Sequence, residues 1–302
     1  MNIKEVQLEG FKEKINNSKL DYPRCENKDL FNLFFNYLGV ASRGGGKSYN
    51  TVAIIKEYEK CKMISGAGEH KIRTILISPT YDANKGLWDN LKSLDENDIY
   101  ETYNETILSN IINDIKGIID EVDFYNKYLY YYDLVDKTPK ENIKNLLDSN
   151  PEITFILKKL NYENPTKIKK YFRYTTKPIT FIILDDLMGS SAFNKKSENL
   201  LVYWLIKNRH IFSSFFILVQ SIKHVNKSIR NNCNLFYLGK FSNRKMILDD
   251  LYSEVSSVMT EKEFENLYIK AINDSSHGAL IIDLTGSKKR FYSSLEKELI
   301  IN

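Results

Sequence analysis

The stretch Ala41-Ser42-Arg43-Gly44-Gly45-Gly46-Lys47-Ser48 decides how the rest of the chain is read. Three glycines followed by Lys-Ser make a loop whose backbone N–H groups can turn inward around phosphate oxygens at the start of a helix. Glycine lets that backbone approach without a Cβ clash. On this reading Ala41, Ser42, Arg43, Gly44, Gly45, Gly46, Lys47 and Ser48 bind ATP. Lys47 is the point charge for the β- and γ-phosphates, and the Ser48 hydroxyl ligates Mg2+. The pattern usually opens with glycine, and here that position is Ala41, the smallest alternative. The competing reading is a glycine-rich turn that happens to precede Lys-Ser.

The flanking sequence favours the loop. Apolar density rises from Leu30 to Val40, and Val52, Ile55 and Tyr58 recur at helical spacing between Ser48 and Cys61. Strand, glycine loop and helix are the setting the motif requires. Thr74 to Ser78 reads as a strand closed by Pro79, and further apolar strands are expected at Ile179–Leu184, Phe215–Val219, Leu235–Leu238 and Ala279–Ile282. Helices are expected at Ser197–Lys207 and Thr260–Ala271. Near-continuous apolar strands alternating with helices predict a buried, mostly parallel sheet. The predicted fold is a three-layer α/β/α P-loop NTPase of RecA/ASCE-like type.

Residues 1–28 read as an irregular N-terminal arm and 29–302 as the P-loop ATPase domain. A helical insert is expected at about 86–172, where amphipathic stretches (Asn104–Val122, Lys140–Leu147, Glu152–Leu160) occur without a convincing strand.

An acidic pair closes the strand Ile182-Ile183-Leu184-Asp185-Asp186. Asp185 is expected in the Mg2+ shell, with Ser48, and Asp186 is expected to polarise the attacking water. The rival pair in Ile118-Ile119-Asp120-Glu121 sits among Ile111, Ile115, Ile118 and Val122, a helical repeat, and reads as a solvated helix face. Gln220 ends the strand Phe215–Val219 and is a candidate sensor of the γ-phosphate; the alternative is an ordinary strand-terminal residue. Arg43 lies inside the loop, in reach of the γ-phosphate in cis. Arg209, Arg230 and Arg244 follow the acidic pair, and Arg209 or Arg230 is a candidate to act in a neighbouring subunit's site, against the commoner surface role of arginine. Lys195-Lys196, Lys223-His224, Lys227 and Arg230 gather in loops that could contact phosphates or simply be solvated.

Composition adds bounds. The chain has 302 residues, 42% hydrophobic, with 43 basic and 39 acidic residues for a net charge of +4, so overall charge alone does not imply nucleic acid. Cys25, Cys61 and Cys233 are widely separated in sequence and form no CxxC pair, which predicts neither disulfide nor zinc and fits a reducing cytosol. The apolar runs are strand-sized, far short of a membrane span, and the first residues carry no hydrophobic signal region.

Five segments together carry a resemblance. They are Ser42–Ser48, Ile182-Ile183-Leu184-Asp185-Asp186-Leu187, Asn208-Arg209-His210, Leu218-Val219-Gln220-Ser221 and Ile229-Arg230-Asn231-Asn232. In this order they resemble the DNA-packaging ATPases of poxviruses, other large DNA viruses and virophages, in the FtsK/HerA-like branch of P-loop enzymes. The likeness covers residues 38 to about 285, with a divergent insert. It implies a homo-oligomeric ring, pentamer or hexamer, that uses ATP and Mg2+ to translocate double-stranded DNA into a viral capsid at its portal vertex. The implied place is the cytoplasm of the infected host cell. Carried over, Lys47 and Ser48 bind nucleotide, Asp185 and Asp186 serve metal and water, Gln220 senses, and Arg209 or Arg230 acts in trans. Arg43 with Ser78-Pro79-Thr80-Tyr81 is also similar to large terminase subunits of tailed phages. A terminase-like ATPase lacking a nuclease domain, and a nucleotide-dependent assembly switch that does not move DNA, are the alternative functions.

Overall fold

Alternation along apolar strands builds two cores from one sheet. The computed structural model describes residues 22–193, 199–241, 252–257, 259–275 and 277–300. Its strands are β1 (Arg24–Cys25), β2 (Asn36–Val40), β3 (Met63–Ser65), β4 (Gly68–His70), β5 (Ile72–Ile77), β6 (Leu94–Tyr100), β7 (Ile179–Asp185), β8 (Ser213–Val219), β9 (Leu235–Leu238), β10 (Leu280–Asp283), β11 (Arg290–Ser293) and β12 (Lys297–Leu299). Helices are α1 (Lys47–Lys60), α2 (Tyr81–Trp88), α3 (Glu105–Lys137), α4 (Lys140–Ser149), α5 (Pro151–Lys158), α6 (Pro165–Ile168), α7 (Leu200–Ile206), α8 (Lys227–Arg230) and α9 (Glu261–Asn273).

Nine strands form one sheet in the order β12-β11-β10-β9-β2-β8-β7-β5-β6. From β9 to β6 neighbours are parallel, and β10, β11 and β12 extend the edge beyond β9 in antiparallel pairs. Successive side chains point to opposite faces. Leu38, Ile75, Ile182, Leu184, Phe215 and Ile217 therefore join a core with α3, α7 and α9. Tyr37, Leu76, Phe181, Ile183, Phe216 and Leu218 join a second core with α1 and Trp88 of α2. This is the three-layer, mostly parallel α/β/α arrangement expected of the sequence. Among the described residues, no helix is long and apolar enough to cross a membrane.

The structure corrects the sequence reading in two places. The stretch 86–172 is not free of strands: β6 pairs in parallel with β5 as the last strand of the sheet. Its sequence Leu-Asp-Glu-Asn-Asp-Ile-Tyr hides it, because an edge strand tolerates the exposed Asp95, Glu96 and Asn97. The helical insert thus begins at Glu105. The rival acidic pair Asp120-Glu121 does lie within α3, as the helical repeat indicates. The expected arm also has order near its end. Arg24 and Cys25 pair with Ile64 and Met63 in a small sheet β1-β3-β4, while residues 1–21 lie outside the described residues. Cys25 and Cys61, distant in sequence, are thereby brought together as free thiols, and burial pushes the Cys25 thiol up to about 11.

The first half of α3 packs on the sheet through Leu108, Ile111, Ile112 and Ile115. Its second half leaves the sheet and builds a small core of its own, Tyr125 and Tyr128 against Ile153, Ile156, Leu157 and Ile168. The result is a helical protrusion of α4, α5 and α6 carried on one continuous helix.

A buried charge cluster ties β6 and α3 to the sheet. Arg73 of β5 is 5% exposed; its Nε donates to Asp98 Oδ2 at 2.9 Å and its Nη2 to Asp98 Oδ1 at 2.5 Å. Its Nη1 lies 2.6 Å from Asp114 Oδ2 on α3. Removing Asp98 leaves the buried Arg73 charge with the half-exposed Asp114 as its close partner, a loss of up to about 3–5 kcal/mol, whereas replacing both Arg73 and Asp98 with apolar residues of similar volume can be near neutral. Urea unfolding of Asp98→Ala is expected to show a loss of that order. The double variant Arg73→Met/Asp98→Leu is expected to recover most of it.

Candidate functional site

Common register places the candidate residues at one edge of the sheet. Ile77 pairs with Leu184, Asp185 with Leu218, and Val40 with both Val219 and Leu238. One step past these pairs lie Ser78, Asp186, Gln220, Ala41 and Gly239, all at the carboxyl ends of parallel strands. In such sheets ligands bind in the crevice outside those ends.

The glycine loop leaves β2 at Ala41 and enters α1 at Lys47. Gly44 and Gly46 have φ of 74° and 79°, which a β-carbon would strain. Gly46 is the N-cap of α1. No side chain caps this end, and the first turn holds no acidic residue. Its N–H groups and the positive end of the helix dipole are left to an anion. Ala41 has no positive φ, so nothing in its backbone requires the usual glycine. Its methyl fills space that two glycines leave clear: a β-carbon at Gly45 or at Gly239 would lie 2.7 Å or 2.6 Å from it.

Lys47 folds across the loop, its Nζ donating to the carbonyls of Ala41 at 2.7 Å and Ser42 at 3.2 Å. Burial lowers its pKa, opposed by the charges of Asp185 and Asp186. Asp185 is 3% exposed and accepts two hydroxyl bonds, from Ser48 Oγ to Oδ1 and from Ser78 Oγ to Oδ2, each 3.2 Å. Burial raises its pKa, and the two hydroxyls only oppose the shift. Asp186 follows with φ of 52°, a left-handed conformation rare for a residue with a side chain. Gln220 Nε2 donates to Asp186 Oδ1 at 2.8 Å. The predicted pair, loop and strand-end glutamine are thus joined by direct contacts.

These residues line a cleft of about 1040 Å³, with Arg43 exposed on its rim. The other candidate arginines lie elsewhere. Arg209 is exposed in the turn before β8, at the opposite edge of the sheet, about 20 Å away by the length of that strand. Its neighbour Asn208 is structural, its buried amide donating to Phe34 O at 2.6 Å and Asn36 Oδ1 at 3.1 Å. Arg230 Nη1 pairs with Glu254 Oε1 at 3.1 Å, away from the cleft. Neither contributes to the site of its own chain. Lys223, His224 and Lys227 are exposed in the segment after Gln220, whereas Lys195, Lys196 and Arg244 lie outside the described residues.

Sequence reasoning gave no role in the site to Ser78, Tyr237 or the C-terminal wall. Ser78 is visible only as the end of an apolar strand. Tyr237 Oη donates to Gly45 O at 2.9 Å and accepts from Asn50 Nδ2 at 3.1 Å, while Asn50 Nδ2 also donates to Gly46 O at 2.8 Å. Burial pushes the Tyr237 phenol up to about 12, so it remains a donor under ordinary conditions. Ser275, His277, Ser294 and Glu296, from loops around β10 to β12, close one side of the cleft. No motif marks any of them.

The donor set fits Mg2+. The Ser48 hydroxyl and the Asp185 carboxylate are hard oxygen ligands beside the phosphate loop, and the described residues hold no cluster of three His, Cys, Asp or Glu able to cage an ion. Magnesium bound mainly by phosphate oxygens and water, with one or two protein ligands, is the usual arrangement.

No family model and no curated protein sequence matches the chain. Solved structures similar to it include the genome packaging NTPase B204 of Sulfolobus turreted icosahedral virus 2 in complex with ATP-gammaS, at 11% identity and a TM-score of 0.42 over 86% of this chain and 97% of that one. The cytoplasmic domain of the Type VII secretion ATPase EccC of Thermomonospora curvata matches at 12% identity and 0.41, over 87% of this chain and 25% of that one. The N-terminal domain of zonular occludens toxin from Neisseria meningitidis matches at 15% and 0.31, over 74% and 90%. These overall likenesses are loose, and the chemistry of the site rests on its own residues.

The packing of Ala41 against Gly239 is testable. Gly239→Ala places a methyl 2.6 Å from Ala41 Cβ and 3.1 Å from Gly45 O, so the loop must shift. ATP affinity, read by titration calorimetry, is expected to fall at least tenfold. Adding Ala41→Gly is expected to restore part of it, a coupling of about 1 kcal/mol or more between touching residues.

Proposed function

We propose that this chain is an ATPase motor of the viral DNA-packaging type. In that reading it hydrolyses ATP with Mg2+ and works as a homo-oligomeric ring that drives double-stranded DNA into a capsid, in the cytoplasm of the infected host cell. The observation that carries the ATPase reading is the convergence of Lys47, Ser48, Asp185, Asp186 and Gln220 at one sheet edge, with Ser48 bonded to Asp185 and Gln220 to Asp186. The packaging role is supported by the ordered motif resemblance spanning residues 38 to about 285.

The chain's own residues divide the work. The loop from Ala41 to Ser48 and the uncapped start of α1 hold the phosphates. Lys47 exchanges the carbonyls of Ala41 and Ser42 for β- and γ-oxygens. Ser48 and Asp185 would hold Mg2+, which would neutralise charge on the phosphates. Asp186 orients a water for in-line attack and takes its proton, and the Gln220 amide fixes the carboxylate that does so. Arg43 stands on the cleft rim, in cis, where it can meet the γ-phosphate. Arg209 is the better candidate for the trans role, because it is exposed while Arg230 is held by Glu254. Catalysis is then mostly positioning and charge stabilisation.

ATPase rates with and without double-stranded DNA test this. Lys47→Ala is expected to lower kcat/KM about 10²–10³-fold, the scale of losing one charge-stabilising donor. Asp186→Asn is expected to lower kcat about 10²–10⁴-fold with little change in KM. DNA is expected to stimulate the wild type and neither variant. Full activity in Asp186→Asn would refute the assigned base. Hydrolysis indifferent to DNA would favour the assembly switch.

A further inference from the structure

The helical protrusion has one strongly basic flank. From Lys158 to Arg173 the chain carries Lys158, Lys159, Lys167, Lys169, Lys170 and Arg173 against a single carboxylate, Glu163. The first five are exposed, and among the described residues none of them makes an ion pair. The nearest other acidic residues are already paired: Asp123 and Asp133 on α3 with Lys177 and Lys137, and Glu152 in the first turn of α5, at the far end from Lys158, with Lys127. In a chain of net charge only +4, such segregation is local.

The flank is rigidly presented. Ile168 is fully buried in the small core, and Phe172, one turn on, packs its ring 4.9 Å from Tyr125 and 6.4 Å from Phe124. With those two side chains turned inward, Lys167, Lys169, Lys170 and Tyr171 are left facing solvent. Phe124 also lies 5.3 Å beneath the Lys159 ammonium, which joins the end of α5 to the same side. The intervening turn holds Asn161 and Tyr162 at φ of 49° and 55°, fixed by Tyr162 N donating to Leu157 O and Tyr128 Oη to Glu163 O. Tyr171 and Phe155 are 57% and 59% exposed among the lysines. Repeated lysine point charges with interleaved rings suit a phosphodiester backbone.

We propose that this flank of Lys158, Lys159, Lys167, Lys169 and Lys170 is a DNA-contacting surface, and that its ligand is the phosphate backbone of the duplex. It lies on the protrusion, apart from the nucleotide cleft. The choice of duplex rests on the motor reading above.

Fluorescence anisotropy with a labelled 30-base-pair duplex across a salt series tests the assignment. The variants are Lys167→Gln/Lys169→Gln/Lys170→Gln and Lys158→Gln/Lys159→Gln. Each lost phosphate contact lowers the slope of log affinity against log salt by about 0.9, so the triple variant is expected to lose about 2–3 in slope and about 10–100-fold in affinity. ATP hydrolysis without DNA is expected to stay at the wild-type rate, which also reports folding. Independently, acetylation of these lysines in the wild type is expected to be slowed by duplex. Wild-type binding with unchanged variants and unprotected lysines would overturn the proposal while leaving the motor reading intact. No duplex binding and no DNA stimulation in the wild type would sink both. Tighter binding of a single strand, or equal competition by polyglutamate, would overturn the assignment to duplex.

Discussion

The register shared by β5, β7, β8, β2 and β9 is the constraint on which the site depends. Side chains alternate in direction along a strand, so a slip of one residue would exchange the two core faces. Both faces here are buried, and a slip would move Phe215 and Ile182 out of one core and Phe216 and Ile183 out of the other. The packing of some of the largest side chains in the molecule therefore also aligns Ser78, Asp185, Asp186, Gln220 and Ala41. Hydrogen bonds of 2.8–3.2 Å among Ser48, Ser78, Asp185, Asp186 and Gln220 follow from that alignment.

A second consequence is the position of β8 between the loop strand β2 and the acidic strand β7. Adjacent strands lie about 4.8 Å apart, so the interposed strand sets loop and acidic pair roughly 10 Å from each other at the sheet edge. A phosphate group and a cation fit that interval. Ser48, at the start of α1, spans it to reach Asp185, and Gln220 occupies the end of the strand between. On the other side of β2, β9 brings Tyr237 and Gly239 against the loop. Tyr237 supplies a hydroxyl for Gly45, and Gly239 supplies the clearance for Ala41. The substitution of alanine for the usual first glycine is thus a packing arrangement with β9, and the features of the loop that need glycine are kept at Gly44 and Gly46.

What could be read from the chain follows the same physics. Strands buried on both faces appear as apolar runs, so the parallel β5, β7, β8 and β9 and the antiparallel β10 are legible, and a carboxylate pair or glutamine at a strand end stands out. The glycine run announces its own geometry. By contrast, β6 is an edge strand whose exposed residues are Asp95, Glu96 and Asn97, and β11 and β12 are short antiparallel strands with no run to detect. Tyr237, Ser78 and His277 enter the site only through the order of strands and the overhang of the C-terminal loops, information that no local pattern holds. Arg209 and Arg230 were equivalent as sequence; burial beside Glu254 separates them.

The insert shows how a protrusion can be added without disturbing the site. It enters after β6, at the outer edge of the sheet, and returns into β7, the acidic strand. Helix α3 has 33 residues, about 50 Å at 1.5 Å per residue. Leu108, Ile111, Ile112 and Ile115 near its start share a core with Ile182 and Leu184 of β7. Tyr125 and Tyr128, further along, share another with α5 and α6. Between the two cores α3 has no proline, and Gly117 is its one glycine. One continuous helix therefore packs at one end against the strand that carries Asp185 and Asp186 and at the other against the protrusion.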